Sequence, residues 1–484
     1  MEASVRAGLH LRIAAIAAAA FALNTGVAYA QLREATTSAV TTPDGHTIEV
    51  TAGFVRVPEV RGPDGTSSGT VDLAVVRLRQ SGATVRSSAH VILAGGPGDS
   101  GVNIVMGLAR RGRSETLRLF DGDVVGIDQR GTGRSRPNLE TQARYDLPLD
   151  KPGSALEWLP HIDRASRKVA EEFRARGIRL EAYNTRESAD DVADVQRAFG
   201  YERLTLWGRS YGSHLALATV ARHPQVVDRL VLVSPEGPNH TWKLPSHVEV
   251  VIRRLVERGA TDLEAHIRQV LTRLAAEPAK VLVRDPQSGM QATVVLGAFD
   301  VQWIAAQALG DPRLVATLPL AFREMAQGNF ERMAQIAVVR RSRAGVESAM
   351  KHMMDLSSGA SVERRRQIES EARDALLGNA INFPGMFAAD AWAPVTDLGE
   401  EFRRPVRSGI PTLILVGDLD PRTPIVNARE IAATLPAAKV MVLENATHQF
   451  DVFGSPAILT LLATFLRGDV IAADKLVLPA IPFK

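Results

Sequence analysis

Short unbroken apolar runs recur along this chain, at residues 90–94, 123–128, 204–207, 228–234, 411–416 and 438–443. A strand that is apolar at every position is buried on both faces, as happens in a parallel sheet covered by helices. Helical spacing follows the run at 204–207 directly, over residues 214–221. Residues 47–58 and 70–79 instead alternate apolar and polar positions, and the turn-rich stretch 61–69 joins them. That pattern predicts an antiparallel hairpin at the edge of the sheet. Between 238 and 404 the buried-strand pattern stops, and helical spacing appears at 248–258, 263–276, 315–325 and 364–377. Structureless loops of such length are uncommon, so this stretch is predicted to be an inserted helical cap. The expected organisation is a leader over 1–30, an α/β core over 31–237 and 405–484, and the insertion over 238–404.

Composition changes this picture little. The chain has 484 residues, 45% hydrophobic and 23% charged, enough for one large α/β domain carrying an insertion. Its 57 basic and 54 acidic residues nearly balance, which argues against a nucleic-acid partner. The first thirty residues matter more. Arg6 and Arg12 precede or open an Ala-rich apolar stretch at 13–23, and Ala28-Tyr29-Ala30 fits the small-x-small rule for cleavage before Gln31. The apolar run is shorter than the roughly 20 residues of a spanning helix. The chain is therefore expected to be exported, periplasmic or secreted, with no stable membrane anchor after cleavage. The absence of cysteine excludes a thiol nucleophile and thiolate metal sites.

The chemistry centres on Gly208-Arg209-Ser210-Tyr211-Gly212, set between a strand pattern and a helix pattern. This is the context of a nucleophile elbow, in which a sharp turn lifts a serine hydroxyl clear of the backbone. The run at 90–94 ends in Gly95-Gly96-Pro97-Gly98, which lacks the lysine and the spacing of a phosphate-binding loop. In an α/β-hydrolase such a loop supplies one oxyanion N–H, here Gly96 (or Gly95), and the residue after the nucleophile, Tyr211, supplies the other. The runs at 411–416 and 438–443 lead into Asp418-Leu419-Asp420 and Ala446-Thr447-His448. Serine, acid and histidine thus fall on separate strand ends in the order this fold uses, with Ser210 as nucleophile, His448 as base and an aspartate to orient it. The other histidines lack this context, and His214 reads as a packed residue of the elbow helix.

The G-G-P-G loop, Asp128-Gln129-Arg130-Gly131-Thr132-Gly133-Arg134-Ser135, the G-x-S-Y-G elbow and the segment 183–191 together resemble the proline iminopeptidase and tripeptidyl aminopeptidase family of α/β-hydrolase serine peptidases. The resemblance runs from about 45 to 240 and resumes from about 405 to 466. Its G-x-x-D-x-x-T-P pattern, with Gly417 and Thr423-Pro424 in place, selects Asp420 over Asp418. Ala94 stands where proline iminopeptidases carry histidine, which is closer to the tripeptidyl branch. The resemblance implies an aminopeptidase acting through an acyl-enzyme, with no metal or organic cofactor and with a carboxylate in or near the cap that holds the substrate's free amine. Glu236 at the base of the insertion is the first candidate for that carboxylate, and Asp390, beside Phe387 and Trp392, the second. The substrate is expected to be a peptide or a small ester. Two other readings stay open at this point: an esterase or lipase-like hydrolase, and a catalytically silent binding protein on the same fold. The sequence leaves the oligomeric state undetermined.

Overall fold

The computed structural model describes residues 30–42, 44–62, 66–80, 87–111, 114–285 and 288–484. The expected leader, apart from its last residue, lies outside these. Among the described residues ten strands form one sheet: β1 (Leu32–Thr41), β2 (Thr47–Arg61), β3 (Ser67–Gln80), β4 (Ser88–Leu93), β5 (Asp123–Ile127), β7 (Arg203–Arg209), β8 (Val227–Val233), β12 (Thr412–Gly417), β13 (Ala438–Glu444) and β14 (Lys475–Val477). Their spatial order is β1-β2-β3-β5-β4-β7-β8-β12-β13-β14. The pairings β1–β2, β2–β3 and β3–β5 are antiparallel, and every later pairing is parallel.

The apolar runs become the central parallel strands because helices cover both faces and each position must tolerate burial. All positions of β5 and β12 are buried. The hairpin at 47–80 forms in the expected antiparallel sense, with Val50 opposite Leu78 and Val57 opposite Val71. It is not the edge of the sheet, however. β1 lies outside it, and the sequence Leu-Arg-Glu-Ala-Thr-Thr-Ser-Ala-Val-Thr conceals this because nearly all of β1 is exposed and needs no apolar pattern.

Because the strands from β4 to β13 are parallel, their C-terminal ends lie along one edge, where ligands bind in open α/β sheets. Between β8 and β12 the chain leaves that edge. The excursion contains the helices Pro245–Glu257, Leu263–Ala276, Ala298–Ala308, Leu318–Ala326, Glu331–Arg343, Ala349–Ser358 and Val362–Glu371. It is not helical throughout. β9 (Ala279–Arg284) pairs with β10 (Gln291–Leu296), and β11 (Gly345–Ser348) pairs with β6 (Glu140–Arg144) from earlier in the chain. The helix Ala155–Ala175 joins the same body, since Trp158 stacks edge-on against Phe299 and Trp303, at 5.7 and 5.5 Å between ring centres. Arg341 is fully buried and spans the two parts. It donates to Asp300 at 2.6 Å and to the carbonyls of Pro148 and Lys151 at 2.6 and 2.9 Å. No helix among the described residues is long and apolar enough to cross a membrane.

Candidate active site

β7 runs into the helix Tyr211–Arg222 through Ser210, whose backbone sits at φ 51° and ψ −122°. A non-glycine residue there is strained, and such strain persists only where surrounding contacts enforce it. The glycines on either side make the turn possible. A Cβ on Gly208 would lie 2.5 Å from the Gly212 carbonyl oxygen, and one on Gly212 would lie 2.0 Å from the Leu93 carbonyl oxygen. The Ser210 N–H donates to the Val233 carbonyl at 2.9 Å. Ser213 fastens the turn further, donating to the Ser210 carbonyl at 2.5 Å and accepting from the Glu236 N–H at 2.7 Å.

The Ser210 Oγ lies 3.1 Å from His448 Nε2, and His448 Nδ1 lies 2.8 Å from Asp420 Oδ2. The turn after β12 arranges Asp420. It accepts the N–H groups of Arg422 and Thr423, each at 2.9 Å, and the Thr423 hydroxyl at 2.7 Å. Burial by itself disfavours the Asp420 carboxylate. The charge and hydrogen bond of His448, with the Thr423 donors, outweigh burial and hold its pKa well below the usual carboxylate range. Asp418 faces elsewhere, paired with Arg258 and accepting the Asn445 N–H at 2.9 Å. His214 is buried in the elbow helix, its Nδ1 3.1 Å from the Gly237 carbonyl.

The loop after β4 passes directly under the serine. A Cβ on Gly95 would lie 3.4 Å from Ser210 Cβ and 3.1 Å from the Arg209 carbonyl oxygen. The N–H groups of Gly96 and Tyr211 meet no hydrogen-bond acceptor among the described residues. The Tyr211 N–H stands at the positive end of its helix, in the residue that follows Ser210.

A cavity of about 680 Å³ extends from Gly96 and Arg422 into the insertion, lined by Glu236, Lys243 and Asp355 among others. Glu236 is in this cavity but already holds a cation. Lys243 Nζ donates to its Oε2 at 2.5 Å and to the His240 carbonyl at 2.8 Å. Burial opposes the Glu236 charge, the Lys243 ammonium outweighs it, and the pKa lies below the usual value. Asp355, on the helix Ala349–Ser358, is different. Its carboxylate has no ion-pair partner among the described residues. Burial first, then the negative charge of Glu236, push its pKa up to about 7. Asp390 is exposed and does not line the cavity. Neither Lys243 nor Asp355 stands out in the sequence. Lys243 lies seven residues beyond Glu236 in a segment that is not helical, so no periodic spacing marks the pair.

Residues 91–450 match the alpha/beta hydrolase fold family. The serine protease Hip1 of Mycobacterium tuberculosis is 29% identical over 189 residues, covering 37% of this chain and 34% of that protein. The tripeptidyl aminopeptidase of Streptomyces lividans is 29% identical over 203 residues, covering 39% of this chain and 36% of that protein. The alignments thus span about a third of the length of these curated relatives. Among solved structures, the proline iminopeptidase of Mycobacterium smegmatis aligns with 90% of this chain and 98% of that chain, at 16% identity and a TM-score of 0.37.

Proposed function

The chain belongs to the alpha/beta hydrolase fold family, and from that premise we propose that it is a serine hydrolase, specifically an exported aminopeptidase that removes residues or short peptides from free N-termini. The observation that carries the reading is the relay Ser210 Oγ, His448 Nε2, His448 Nδ1 and Asp420 Oδ2, with contacts of 3.1 and 2.8 Å. Ser210 attacks the carbonyl while His448 takes its proton; Asp420 holds the imidazole tautomer and offsets its positive charge. The oxyanion is bound by the N–H groups of Gly96 and Tyr211. His448 then protonates the departing amine, and water, activated by the same histidine, releases the acyl group from Ser210. The steps use protein groups and water only.

Residues 238–404 act as a cap over the serine, excluding water and shaping the cavity. The free amine of the substrate is bound at the Glu236–Asp355 end. Asp355 is the carboxylate that lacks a cation of its own, so it complements an ammonium better than Glu236, which Lys243 neutralises. The leader pattern at 1–30 supports export.

The test compares a free-amine aminoacyl or tripeptidyl p-nitroanilide, its N-acetylated twin and a short-chain p-nitrophenyl ester, on the mature protein and on Ser210→Ala. Turnover of the free-amine anilide alone, lost in Ser210→Ala, is the expected result. Turnover of the ester with neither anilide cleaved would refute the peptidase reading and leave the serine hydrolase standing.

A further inference from the structure

The cavity has a second charged end, next to the reacting groups. Arg422 lies in the turn that carries Asp420 and lines the cavity together with Arg340. A Cβ placed on Gly310 would sit 3.2 Å from Arg422 Nε and 3.7 Å from His448 Cβ, so the guanidinium and the imidazole flank the same turn of the insertion. The Thr447 hydroxyl and the Gln449 N–H, at 3.1 and 3.0 Å from the Gly310 carbonyl, fasten that turn to the histidine loop.

Among the described residues five cations line the cavity, Lys243, Arg340, Arg343, Lys351 and Arg422, and four of them can be compared by what they hold. Lys243 is engaged by Glu236 and Lys351 by Glu347, at 2.5 and 3.3 Å. Among the described residues Arg422 has one side-chain hydrogen-bond partner, the neutral Gln307 oxygen at 2.7 Å. Neither Arg422 nor Arg340 meets a carboxylate within ion-pair distance among the described residues, and Asp420 nearby is committed to His448 and Thr423. Burial lowers the pKa of Arg422, the Asp420 charge offsets part of this, and Arg340 adds repulsion. Two guanidinium groups that line one concave site, neither within ion-pair distance of a carboxylate among the described residues, have donors free to take an anion.

We propose that Arg422 and Arg340 bind a carboxylate on the acyl portion of the substrate, so that the enzyme prefers an acidic residue, Asp or Glu, at the position whose carbonyl Ser210 attacks. This rests on the reading of Ser210 as the nucleophile. The carboxylate belongs to the acyl portion because Arg422 lines the same cavity as Glu236 and Asp355, which take the amine of the fragment that acylates the serine. The site therefore has two poles. Asp355 and Glu236 meet the ammonium, and the two arginines meet the side-chain carboxylate. Planar guanidinium forks suit that carboxylate, and charge-assisted hydrogen bonds of this kind discriminate by about ten- to a hundredfold.

The experiment measures kcat/KM for two free-amine p-nitroanilides identical except for Glu or Gln at the attacked residue. Wild type, Arg422→Gln and Arg340→Gln are compared, and Ser210 is checked for labelling by a fluorophosphonate probe. Wild type should favour Glu by about tenfold or more, and each substitution should bring the Glu-to-Gln ratio toward one, mainly through KM. The Arg340 side chain makes no hydrogen bond to the described residues, so Arg340→Gln remains informative where Arg422→Gln fails to fold. A wild-type ratio of one or below overturns the proposal, as does a ratio that neither substitution changes. Should Ser210 label while both anilides stay intact, the aminopeptidase reading fails separately. The charge preference is then read from p-nitrophenyl hemisuccinate against p-nitrophenyl butyrate, where preference for hemisuccinate supports the arginine site and preference for butyrate overturns it. An unlabelled Ser210 refutes the nucleophile and the proposal with it.

Discussion

Replacing Asp355 with asparagine should stabilise the protein at alkaline pH and weaken its use of free amines. Folding raises the pKa of this carboxyl from an ordinary 3.8 to about 7, through burial and then the charge of Glu236. Between those two values the folded chain keeps a proton that the unfolded chain has released. Stability therefore falls as pH rises through this window, and the full penalty is present above pH 7. At about 1.4 kcal/mol for each tenfold change in proton affinity, the ceiling is about 4 kcal/mol. The side chain borders the cavity and is only partly enclosed, so roughly half of that, ~2 kcal/mol, is expected after solvent screening. The assay is urea unfolding of wild type and Asp355→Asn from pH 4 to 8. Taking the difference between the two proteins at each pH cancels the titration of other groups. Asp355→Asn should gain stability over wild type progressively from about pH 4 to 7 and then level off. Over the same range it should lose kcat/KM on free-amine substrates more than on esters. A stability difference that does not vary with pH would refute the account of Asp355 as a buried carboxyl without a partner.

Other positions give equally direct tests. Asp420→Asn should lower kcat by about 10⁴-fold with KM little changed, because the amide stabilises the wrong imidazole tautomer; steady-state kinetics on any accepted substrate reads it, and a loss under tenfold would remove Asp420 from the relay. Gly212→Ala places a methyl 2.0 Å from the Leu93 carbonyl oxygen and 2.8 Å from that of Ala94, so it should destabilise the fold by at least about 1–3 kcal/mol in denaturant unfolding and also displace Ser210. Arg130→Met removes a fully buried guanidinium that holds Asp191 through two hydrogen bonds of 2.8 Å and the carbonyls of Glu59 and Ala182 at 2.7 Å. The expected loss is about 1–3 kcal/mol, measured the same way, because the buried carbonyls of Glu59 and Ala182 lose a donor while Asp191 keeps its pairing with Arg61 at 2.8 Å.

Arg130 also shows how a motif can be legible while its purpose is not. Asp128-Gln129-Arg130-Gly131-Thr132-Gly133-Arg134-Ser135 carries much of the family resemblance, yet in the structure it is a brace. Arg130 ties β2 to the segment at 182–191, and the Ser135 hydroxyl joins the Asp128 carbonyl at 2.6 Å to the Ala74 N–H at 2.9 Å. The elbow, by contrast, could be read from five residues set between a strand pattern and a helix pattern, although the contact that forbids a side chain at Gly212 comes from Leu93, remote in the sequence. The partners of the serine could be named because each follows an apolar run, and parallel strands carry such runs to one edge of the sheet. Strand β1 escaped notice because an exposed outer strand needs no apolar period. The helix Ala155–Ala175 is not among the elements predicted, and nothing in its own pattern says that Trp158 packs against Phe299 and Trp303.

The sequence by itself therefore determined the parallel sheet, the strained turn at Ser210, the chain order of Ser210, Asp420 and His448, and the excursion between β8 and β12. The sheet and the excursion depend on apolar periodicity, which is written locally in residue type, whereas Asp420 is told from Asp418 by the resemblance of Gly417 to Pro424 to the family's G-x-x-D-x-x-T-P pattern. The tertiary structure alone decided which charges are paired. Glu236, Asp355, Arg340 and Arg422 look like any solvated acid or base along the chain. Only the fold brings Lys243 to Glu236 and leaves the other three lining a cavity with no ion-pair partner among the described residues. The energy of a buried charge depends on its distance to other charges and to water, and those distances exist only once remote segments have packed together.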